Sequence, residues 1–334
     1  MKRSIAIMAI ALTAALDGFS QSSLQGFQSA FSNFAGDMAG SLAVNSTIGS
    51  NWSDAYVGGF PNFGLGVTIG AAFIKADSAT SLFNAIAPGS LPSAFTSYGI
   101  PLPATVATFK IGLPFIPMDI GIKGGYIPSS IGSDLQGLTG VAVDYANIGV
   151  QLRYALVKQN LFLPNVSIGV AYDYQKGDLT KQLSGVPSQS FTVPASLGSY
   201  SVNVTSPTLA LGWTSSVFDF TAQVSKQLLF LIPYAGAGFT VGKSTVTGGV
   251  NATTSTNYPT GLSGLSSDLA AAGLSTPSVL NKDGFSYSVD SSSPVFRIYG
   301  GLSFRIIVLD FDAQVMYVPA AAAFGASLTA RVQI

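Results

Sequence analysis

The side chains best suited to chemistry in this sequence are charged residues that occupy alternate positions within apolar segments. In three consecutive segments between Val295 and Ile334, the charged side chains share one parity and most large apolar side chains take the other. Side chains of a β-strand alternate between its two faces, so each segment would present one charged face and one apolar face. The candidates for lining a polar lumen on this pattern are Lys110, Asp119, Lys123, Arg153, Asp173, Asp219, Arg297, Arg305, Asp310, Asp312 and Arg331.

Charges on one face of a strand suit two tasks inside a barrel. Rings of Arg, Lys and Asp in an open lumen would select among passing solutes. Cross-strand ion pairs would instead fill and rigidify a narrow lumen. Asp310 and Asp312 could bind a cation or the head of a substrate, and they are also ordinary partners for neighbouring arginines. Because charges line barrels of every function, the pattern favours the structural task for any single residue.

The residue types that the chain lacks exclude several kinds of active site. It contains no His and no Cys, and all its acidic residues are Asp. These absences exclude Ser-His-Asp and Cys-His triads, thiolate and histidine metal sites, and histidine acid-base chemistry. Glycine-rich stretches lie inside strand patterns and not ahead of helices, which argues against a phosphate-binding loop. We therefore expect no enzyme activity, catalytic residue, cofactor or metal site, and the net charge of zero gives no sign of a nucleic-acid partner.

The composition indicates which elements carry the alternating pattern. Charged residues make up 9% of the chain and the mean hydropathy is +0.45, yet beyond the N-terminus no stretch reaches the ~18 uninterrupted apolar residues of a membrane helix. A Lys or Arg facing lipid near mid-membrane would cost roughly 2–4 kcal/mol, so the charged parity should face a lumen. We predict an all-β fold, a transmembrane antiparallel β-barrel of about 10 to 14 strands, with about 12 favoured. A short N-terminal amphipathic helix should precede it.

The sequence divides into three parts. We predict a signal peptide, an N-terminal helical or plug-like segment and an outer-membrane β-barrel over residues 1–20, 21–61 and 62–334, with long barrel loops near 75–104, 176–205 and 243–293. A basic start, an apolar run and small residues before the cleavage site are typical of a signal peptide. Cleavage is expected after Ser20, with Ala15 as the alternative.

The helical segment leaves two positions open. Apolar residues between Ser22 and Leu42 recur at spacings of three and four, which is typical of an amphipathic helix. Such a helix could enter the barrel mouth as a plug. It could also pack under the barrel or lie at the membrane interface, and the pattern slightly favours this second position.

Two short internal echoes suggest that hairpins were duplicated. Residues 217–224 resemble 308–315, and residues 158–164 resemble 226–233. If both echoes marked turns on one membrane face, the strand between Val217 and Lys226 would start and end on that face. Either one echo does not mark a side, or the strand count in that region is wrong.

The signal, the alternating strands and the C-terminal strand together resemble Gram-negative outer-membrane β-barrel proteins. Phe324-Gly325, followed by apolar residues at alternate positions up to Ile334, is similar to the signal that the barrel-assembly machinery reads. The resemblance implies a location in the bacterial outer membrane, with membrane lipid and the assembly machinery as partners. The helix ahead of very apolar strands is also similar to outer-membrane transporters of long-chain fatty acids and hydrophobic compounds. Residues 51–61 resemble uncharacterised spirochaete-type outer-membrane proteins.

Two functional hypotheses follow from these features. The first is a passive channel or carrier for small or hydrophobic solutes, whose selectivity comes from rings of charge in the lumen. The second is a surface-exposed adhesin or structural barrel whose function resides in its external loops, above all the Ser/Thr-rich stretch 243–293. A third possibility, a soluble secreted β protein, predicts extraction without detergent.

Overall fold

The computed structural model describes residues 21–86, 96–97, 99–127, 141–182, 189–192, 201–204, 208–251, 254–264, 267 and 285–334. The predicted signal peptide over residues 1–20 lies outside these ranges, as do the central parts of the three predicted long loops.

The main elements of the described chain are two helices and fourteen strands. The helices are α1 (Gln21–Ser46) and α2 (Ala76–Ile86). The strands are β1 (Phe63–Ile74), β2 (Ile100–Gly112), β3 (Met118–Ile127), β4 (Val141–Val157), β5 (Asn165–Gln182), β6 (Gln189–Thr192), β7 (Ser201–Val204), β8 (Thr208–Ser225), β9 (Leu231–Asn251), β10 (Thr254–Thr256), β11 (Phe285–Ser291), β12 (Val295–Ile306), β13 (Leu309–Val318) and β14 (Ala323–Gln333). No helix in these ranges is long and apolar enough to cross a membrane.

Ten of the described strands close into an antiparallel barrel. Strand β1 pairs with β2 on one side and with β14 on the other. The order continues from β2 through β3, β4, β5, β8, β9, β12 and β13 back to β14. Closure pairs both edges of every barrel strand, as a strand in lipid requires. The predicted barrel fold is therefore confirmed, with ten strands, which is the low end of the predicted range and fewer than the favoured count.

Each barrel strand alternates between exposed and buried side chains. Strand β13 does so along its whole length, from exposed Leu309 to buried Val318. The outward side chains are large and apolar, and Leu65, Phe220 and Val315 are examples. A continuous apolar belt of this kind around a closed barrel is suited to lipid and not to water. The barrel therefore spans a membrane with its apolar parity outward.

The two ends of the barrel differ in their connections. At one end, which we call the tight-turn end, the strands are joined by residues 113–117, 158–164, 226–230 and 307–308. At the opposite end, which we call the loop end, the connections include residues 75–99, where α2 lies, and the segment between β5 and β8. Outer-membrane barrels place short turns toward the periplasm and long loops outside.

This arrangement resolves the question that the two echoes raised. Residues 158–164 and the start of 226–233 both form turns at the tight-turn end. Strand β8 runs toward that end, whereas β13 runs away from it. The echo between 217–224 and 308–315 therefore does not mark a side of the membrane.

Several strands rise above the others at the loop end. Strand β9 has 21 residues, whereas β13 has 10. Strand β11 continues β12 in one register along β9, because Ser291 lies opposite Ser244 and Val295 lies opposite Thr240. The break between β11 and β12 contains Pro294, which lacks the N–H that a ladder needs. We call residues 174–182, 208–216, 242–251 and 285–291 the loop-end wall.

The polarity of the two strand faces reverses where these strands enter the loop-end wall. Nearer the tight-turn end of β8, Phe218 faces outward and Asp219 is buried inside. In the wall, Leu211 and Trp213 are buried inside and Thr214 is exposed. The reversal marks the point where the strand leaves lipid for water. The predicted loops near 176–205 and 243–293 therefore begin too early, since β5 continues to Gln182 and β9 continues to Asn251.

Helix α1 lies inside the barrel at the loop end. Ser41 Oγ donates to Phe73 O at 3.0 Å, and Asn45 Nδ2 donates to Leu102 O at 2.7 Å. The buried apolar side chains of α1 join one core with the inward residues of the loop-end wall, and they include Phe31, Phe34, Met38 and Leu42. The favoured position under the barrel or at the interface is therefore wrong. The wall offers α1 a dry apolar surface inside the barrel, so its apolar face need not meet lipid.

The chain after α1 passes down through the lumen to the tight-turn end. Residues 47–59 carry no helix or strand, and residues 47–55 are buried throughout. Just beyond them, Phe60 N donates to Leu113 O in the first tight turn at 3.4 Å. We call residues 21–59 the plug, because buried side chains of this segment, from Phe31 to Val57, occupy the lumen between its loop end and its tight-turn end.

The contact between α1 and β9 gives a first testable prediction. A Cβ atom built on Gly248 of β9 would lie 2.1 Å from Cε2 of the Phe31 ring. Gly248→Val should displace Phe31 and lower the free energy of unfolding by about 1–3 kcal/mol, as overpacking of a core does. The measurement is the temperature at which the gel band shifts from the position of the folded barrel to that of the unfolded chain.

Gly124→Val is the matched control, because a Cβ there meets nothing within 4 Å on the outward face of β3. It should leave the transition unchanged or raise it slightly, since Val favours strands. Equal losses in the two variants would contradict the placement of α1 against β9.

Candidate functional site

The eleven residues predicted to line the lumen all lie on the inner face of the barrel. Ten of them are buried, and the side chain of Arg305 is 18% exposed near the tight-turn end. Their strands are β2, β3, β4, β5, β8, β12, β13 and β14, so the charges surround the lumen on most of its sides. With the plug beside them, they form what we call the lumen network.

Most charged side chains on the inner face of the barrel strands pair with a charged side chain of another barrel strand. Arg153 and Asp119 face each other directly across β4 and β3. Their bond is bidentate, with Nε to Oδ1 and Nη2 to Oδ2 both at 2.8 Å. Lys123 Nζ lies 2.9 Å from Asp173 Oδ1, and Arg297 Nη2 lies 2.5 Å from Asp219 Oδ2. Buried charges are tolerated when geometry and hydrogen bonds compensate their lost hydration, and the Arg153–Asp119 pair meets that condition. In the other two pairs, both Asp173 oxygens and the Nε and Nη1 atoms of Arg297 have no hydrogen-bond partner among the described residues.

Two of these pairs reach across an intervening strand over a glycine. Lys123 on β3 and Asp173 on β5 both lie opposite Gly149 on β4. A Cβ on Gly149 would come within 2.1 Å of the Asp173 carboxylate. Gly238 gives Arg297 the same room, since a Cβ there would lie 2.5 Å from Nη1 of the guanidinium. Sequence analysis missed these glycines, although an inward glycine next to a lone charge on a neighbouring strand is a usable signal.

Asp54 of the plug is the acidic residue that sequence analysis missed. Its Oδ2 accepts from Arg305 Nη2 at 2.5 Å and from Arg331 Nη2 at 2.8 Å. Asp310 binds the same two arginines, at 2.9 Å from Arg305 Nη2 and 3.4 Å from Arg331 Nε. The pattern of alternating strands could not identify Asp54, because it lies in a segment without regular structure.

Asp54 also balances the charge of the lumen. The described part of the lumen that lies within the membrane contains six basic side chains, all on barrel strands. It also contains six acidic side chains, of which five are on barrel strands and the sixth is Asp54. Counted as formal charges, the barrel wall alone carries one excess positive charge, and Asp54 supplies the negative charge that offsets it. A low-dielectric interior makes an uncompensated charge costly, so the plug completes the electrostatics of the barrel.

The barrel wall also hydrogen-bonds to the plug backbone. Arg153 Nη1 donates to Asp54 O at 2.7 Å, and Gln223 Nε2 donates to Trp52 O at 2.7 Å. Lys110 and Lys123 donate to the carbonyls of Ser50 and Ser46. An extended buried segment needs partners for its carbonyls, and these side chains supply them.

Trp52 packs between two cations of the wall. Lys110 Nζ lies 4.9 Å from the ring centroid, and the Arg331 guanidinium carbon lies 5.1 Å from it. Cations are attracted to the face of an indole ring, and more strongly when desolvated. Lys110, which has no acidic partner within the described part of the chain, is thereby held by Trp52, Ser50 and Gln151.

A small cavity lies between the plug and the barrel wall. A cavity of about 10 Å³ lies among Ser50, Lys110, Lys123, Gln151 and Asp173. That is roughly the space of one water molecule. The plug and the lumen network therefore pack closely around this cavity.

Asp310 and Asp312 are also the residues predicted to be able to bind a cation, and that role stays a prediction. Asp310 is bound by Arg305 and Arg331, and Asp312 accepts a hydrogen bond from Tyr234 Oη at 2.8 Å. Within the described ranges, no cluster of three or more acidic residues could hold a metal ion. In this structure, these two carboxylates contact neighbouring side chains.

Neither a protein-family model nor a curated protein sequence matches this chain. Among solved structures it is similar to the outer-membrane protease OmpT from Escherichia coli, with 7% identity, 82% of this chain and 95% of that chain covered, and a TM-score of 0.35. The autotransporter NalP translocator domain from Neisseria meningitidis gives 8% identity, coverage of 90% and 98%, and a TM-score of 0.29. A major outer-membrane protein from Thermus thermophilus gives 12% identity, coverage of 81% of this chain and 99% of that chain, and a TM-score of 0.28. At these scores the fold assignment rests on the strand pairing alone.

The charge balance gives a second prediction. Asp54→Asn keeps the shape of the side chain but leaves Arg305 and Arg331 with one acid between them. Breaking a buried ion pair in this way should lower the free energy of unfolding by roughly 3–5 kcal/mol. The same gel transition measures the loss, and limited proteolysis should reveal cleavage within residues 47–59.

Asp37→Asn serves as the control, because Asp37 pairs with Lys75 at 3.4 Å in a half-exposed position. Such a pair contributes about 0–1 kcal/mol, so this change should be small. Adding Arg331→Gln to Asp54→Asn restores a neutral lumen and should recover part of the lost stability. An Asp54→Asn barrel as stable as the Asp37→Asn barrel would contradict the proposed charge balance.

Proposed function

We propose that this protein is a bacterial outer-membrane barrel with a closed lumen that acts through its loop-end surface, as a surface-exposed adhesin or structural barrel. The observation that carries the proposal is the plug, which occupies the lumen with buried side chains and neutralises its charge. A resting barrel closed in this way is poorly suited to passive diffusion. Outer-membrane lipid and the barrel-assembly machinery are the partners that this location implies.

The loop-end wall supplies a suitable contact surface. Its outward side chains are polar and of both signs, and they include Lys176, Asp178, Lys243, Thr245 and Asp290. Lys243 Nζ lies 2.8 Å from Asp290 Oδ2, and the hydrogen bonds from Lys243 and then Thr245 lower the pKa of Asp290. A paired β-sheet packed on α1 holds these groups in fixed positions. Rigid display of mixed charges favours recognition of a polar macromolecular surface.

A plug-gated channel or carrier for small or hydrophobic solutes is the second candidate. The specific observation in its favour is that the acids of the wall pair with arginines and lysines of the wall. Withdrawal of residues 47–59 would therefore leave those pairs intact and a single excess positive charge. Such a lumen would be polar and weakly selective for anions. We propose no enzyme activity and no cofactor for either role.

Single-channel recording in planar bilayers separates the two candidates and gives a third prediction. The wild-type barrel should pass no steady current, because the plug closes the lumen. Trp52→Ala with Asp54→Asn removes the stacked ring and the ion pairs of the plug, so it should produce openings. Voltage- or ligand-driven openings of the wild type would favour the gated channel, and a steady wild-type current would contradict the closed barrel.

The surface role is tested on cells that display the protein. Lys176→Glu with Lys243→Glu reverses two charges of the loop-end wall and should reduce adherence to a surface coated with extracellular-matrix protein. Val315→Leu in the lipid-facing belt is the control and should leave adherence unchanged. Adherence that is equal with and without the displayed wild-type barrel would count against the adhesin role.

A further inference from the structure

The four tight turns are unusually apolar for connections that would meet water. Eleven of their nineteen residues are Leu, Ile, Val or Phe, three are Pro, and none is acidic. Phe115, Phe162, Leu229 and Ile307, one from each turn, are exposed by 104%, 87%, 87% and 90%. Turns in water favour Gly, Asn, Asp and Ser instead.

Three of these exposed side chains also occupy a conformation that disfavours them. Phe115, Leu229 and Ile307 have φ angles of 68°, 56° and 58°. Gly and Asn adopt this left-handed region most easily, and a β-branched residue such as Ile does so least easily. The sequence therefore places large apolar groups where neither backbone preference nor water favours them. An apolar neighbour at this end of the barrel would account for both features.

We propose that the four tight turns form a membrane-embedded rim, whose large apolar side chains insert into the lipid leaflet at the tight-turn end. The proposal rests on the membrane placement of the barrel, but not on its role as an adhesin or channel. The occupant is lipid because the apolar residues occur in every tight turn around the circumference. A protein partner seated at one sector would require them at one sector.

The rim is continuous with the lipid-facing belt. Ile307 and Val308 follow directly on outward Ile306, and outward Leu309 and Phe311 come next. The apolar surface therefore runs from the belt around the turn without a polar boundary. Elsewhere on the molecule the outward face becomes polar where a strand leaves lipid, as at Thr214. No such change occurs around the turn 307–308, and the exposed polar side chains of the tight-turn end, Lys158, Asn160 and Gln227, lie in the turns 158–164 and 226–230.

Many polar groups in the turns 158–164 and 226–230 are satisfied within the protein, as immersion in an apolar phase requires. Lys226 Nζ donates to the carbonyls of Asn160, Leu161 and Leu163 at 2.7, 3.1 and 3.0 Å. Asn160 Oδ1 accepts from the N–H groups of Phe162 and Leu163. Gln159 and Gln227 join the turns through two further bonds to backbone groups. The two turns thus form one platform that presents its leucines and phenylalanines outward.

Nitroxide labelling tests the rim, and the natural chain suits it because it contains no Cys. Single Cys residues are placed at Phe115, Phe162, Leu229 and Ile307 in full-length protein reconstituted into phosphatidylcholine–phosphatidylglycerol vesicles. Collision rates with oxygen, which enriches in lipid, and with a water-soluble nickel chelate report depth. All four labels should resemble a label at Val315 in the belt and differ several-fold from a label at exposed Thr260.

The outcomes distinguish the rim from the membrane placement. Rim labels as accessible to nickel as the Thr260 label, with the Val315 label protected, would overturn the rim and leave a periplasmic protein as its partner. Nickel access at Val315 as well would overturn the membrane placement itself.

A triple variant adds a second arm that does not depend on labelling strained positions. Asn tolerates the left-handed conformation, so Phe115→Asn with Leu229→Asn and Ile307→Asn should keep the folded barrel in detergent. It should also raise nickel access at the Phe162 label several-fold, because the rim loses its apolar anchors. Unchanged access at Phe162 in a folded triple variant would contradict the proposal.

Discussion

Neutrality of the lumen is the constraint on which the rest of this structure depends. Lipid outside the barrel forces the charged parity of every strand inward, where hydration is poor and each charge needs a partner. The wall provides six cations but five acids, and Asp54 of the plug provides the sixth. The plug is therefore part of the barrel interior and not an addition to it. Its backbone carbonyls accept hydrogen bonds from side chains of the barrel strands, and Trp52 packs against Lys110 and Arg331.

The interior consists of two layers with different physics. Toward the loop end, α1 packs Phe31, Phe34 and Met38 against inward apolar residues of the loop-end wall, as in the hydrophobic core of a soluble protein. Toward the tight-turn end, ion pairs and carbonyl contacts replace that packing. Inward glycines such as Gly149 let long basic side chains cross a neighbouring strand. The apolar layer contributes hydrophobic stabilisation, and the polar layer fixes the path of residues 47–59.

The sequence predicts the strands where lipid surrounds the barrel, because charged side chains then face inward and apolar ones face outward. The prediction is wrong where the strands leave the lipid. Within the membrane, alternation at residues such as Arg297 and Asp310 is enough to recognise strands, because lipid makes the rule strict. In the loop-end wall the rule reverses, with Trp213 inside and Thr214 outside, so strand residues there were predicted to be loop. The position of α1 could not be derived, since an amphipathic face suits a membrane interface and an apolar wall equally well. The roles of Asp54 and Gly149 could not be predicted, because each depends on contacts between segments that are distant in the sequence.

The most direct test of the central claim is a carbon–nitrogen dipolar coupling measured by solid-state NMR on the barrel in lipid bilayers. The experiment compares carboxyl carbons coupled to arginine guanidinium nitrogens in the wild type and in Asp54→Asn. The 2.8 Å separation of Asp54 Oδ2 and Arg331 Nη2 predicts a strong coupling for Asp54. That signal should disappear in the variant, while the signal of the Asp119–Arg153 pair persists. A wild-type spectrum in which the Asp54 carboxyl carbon shows no coupling to guanidinium nitrogen would contradict the account.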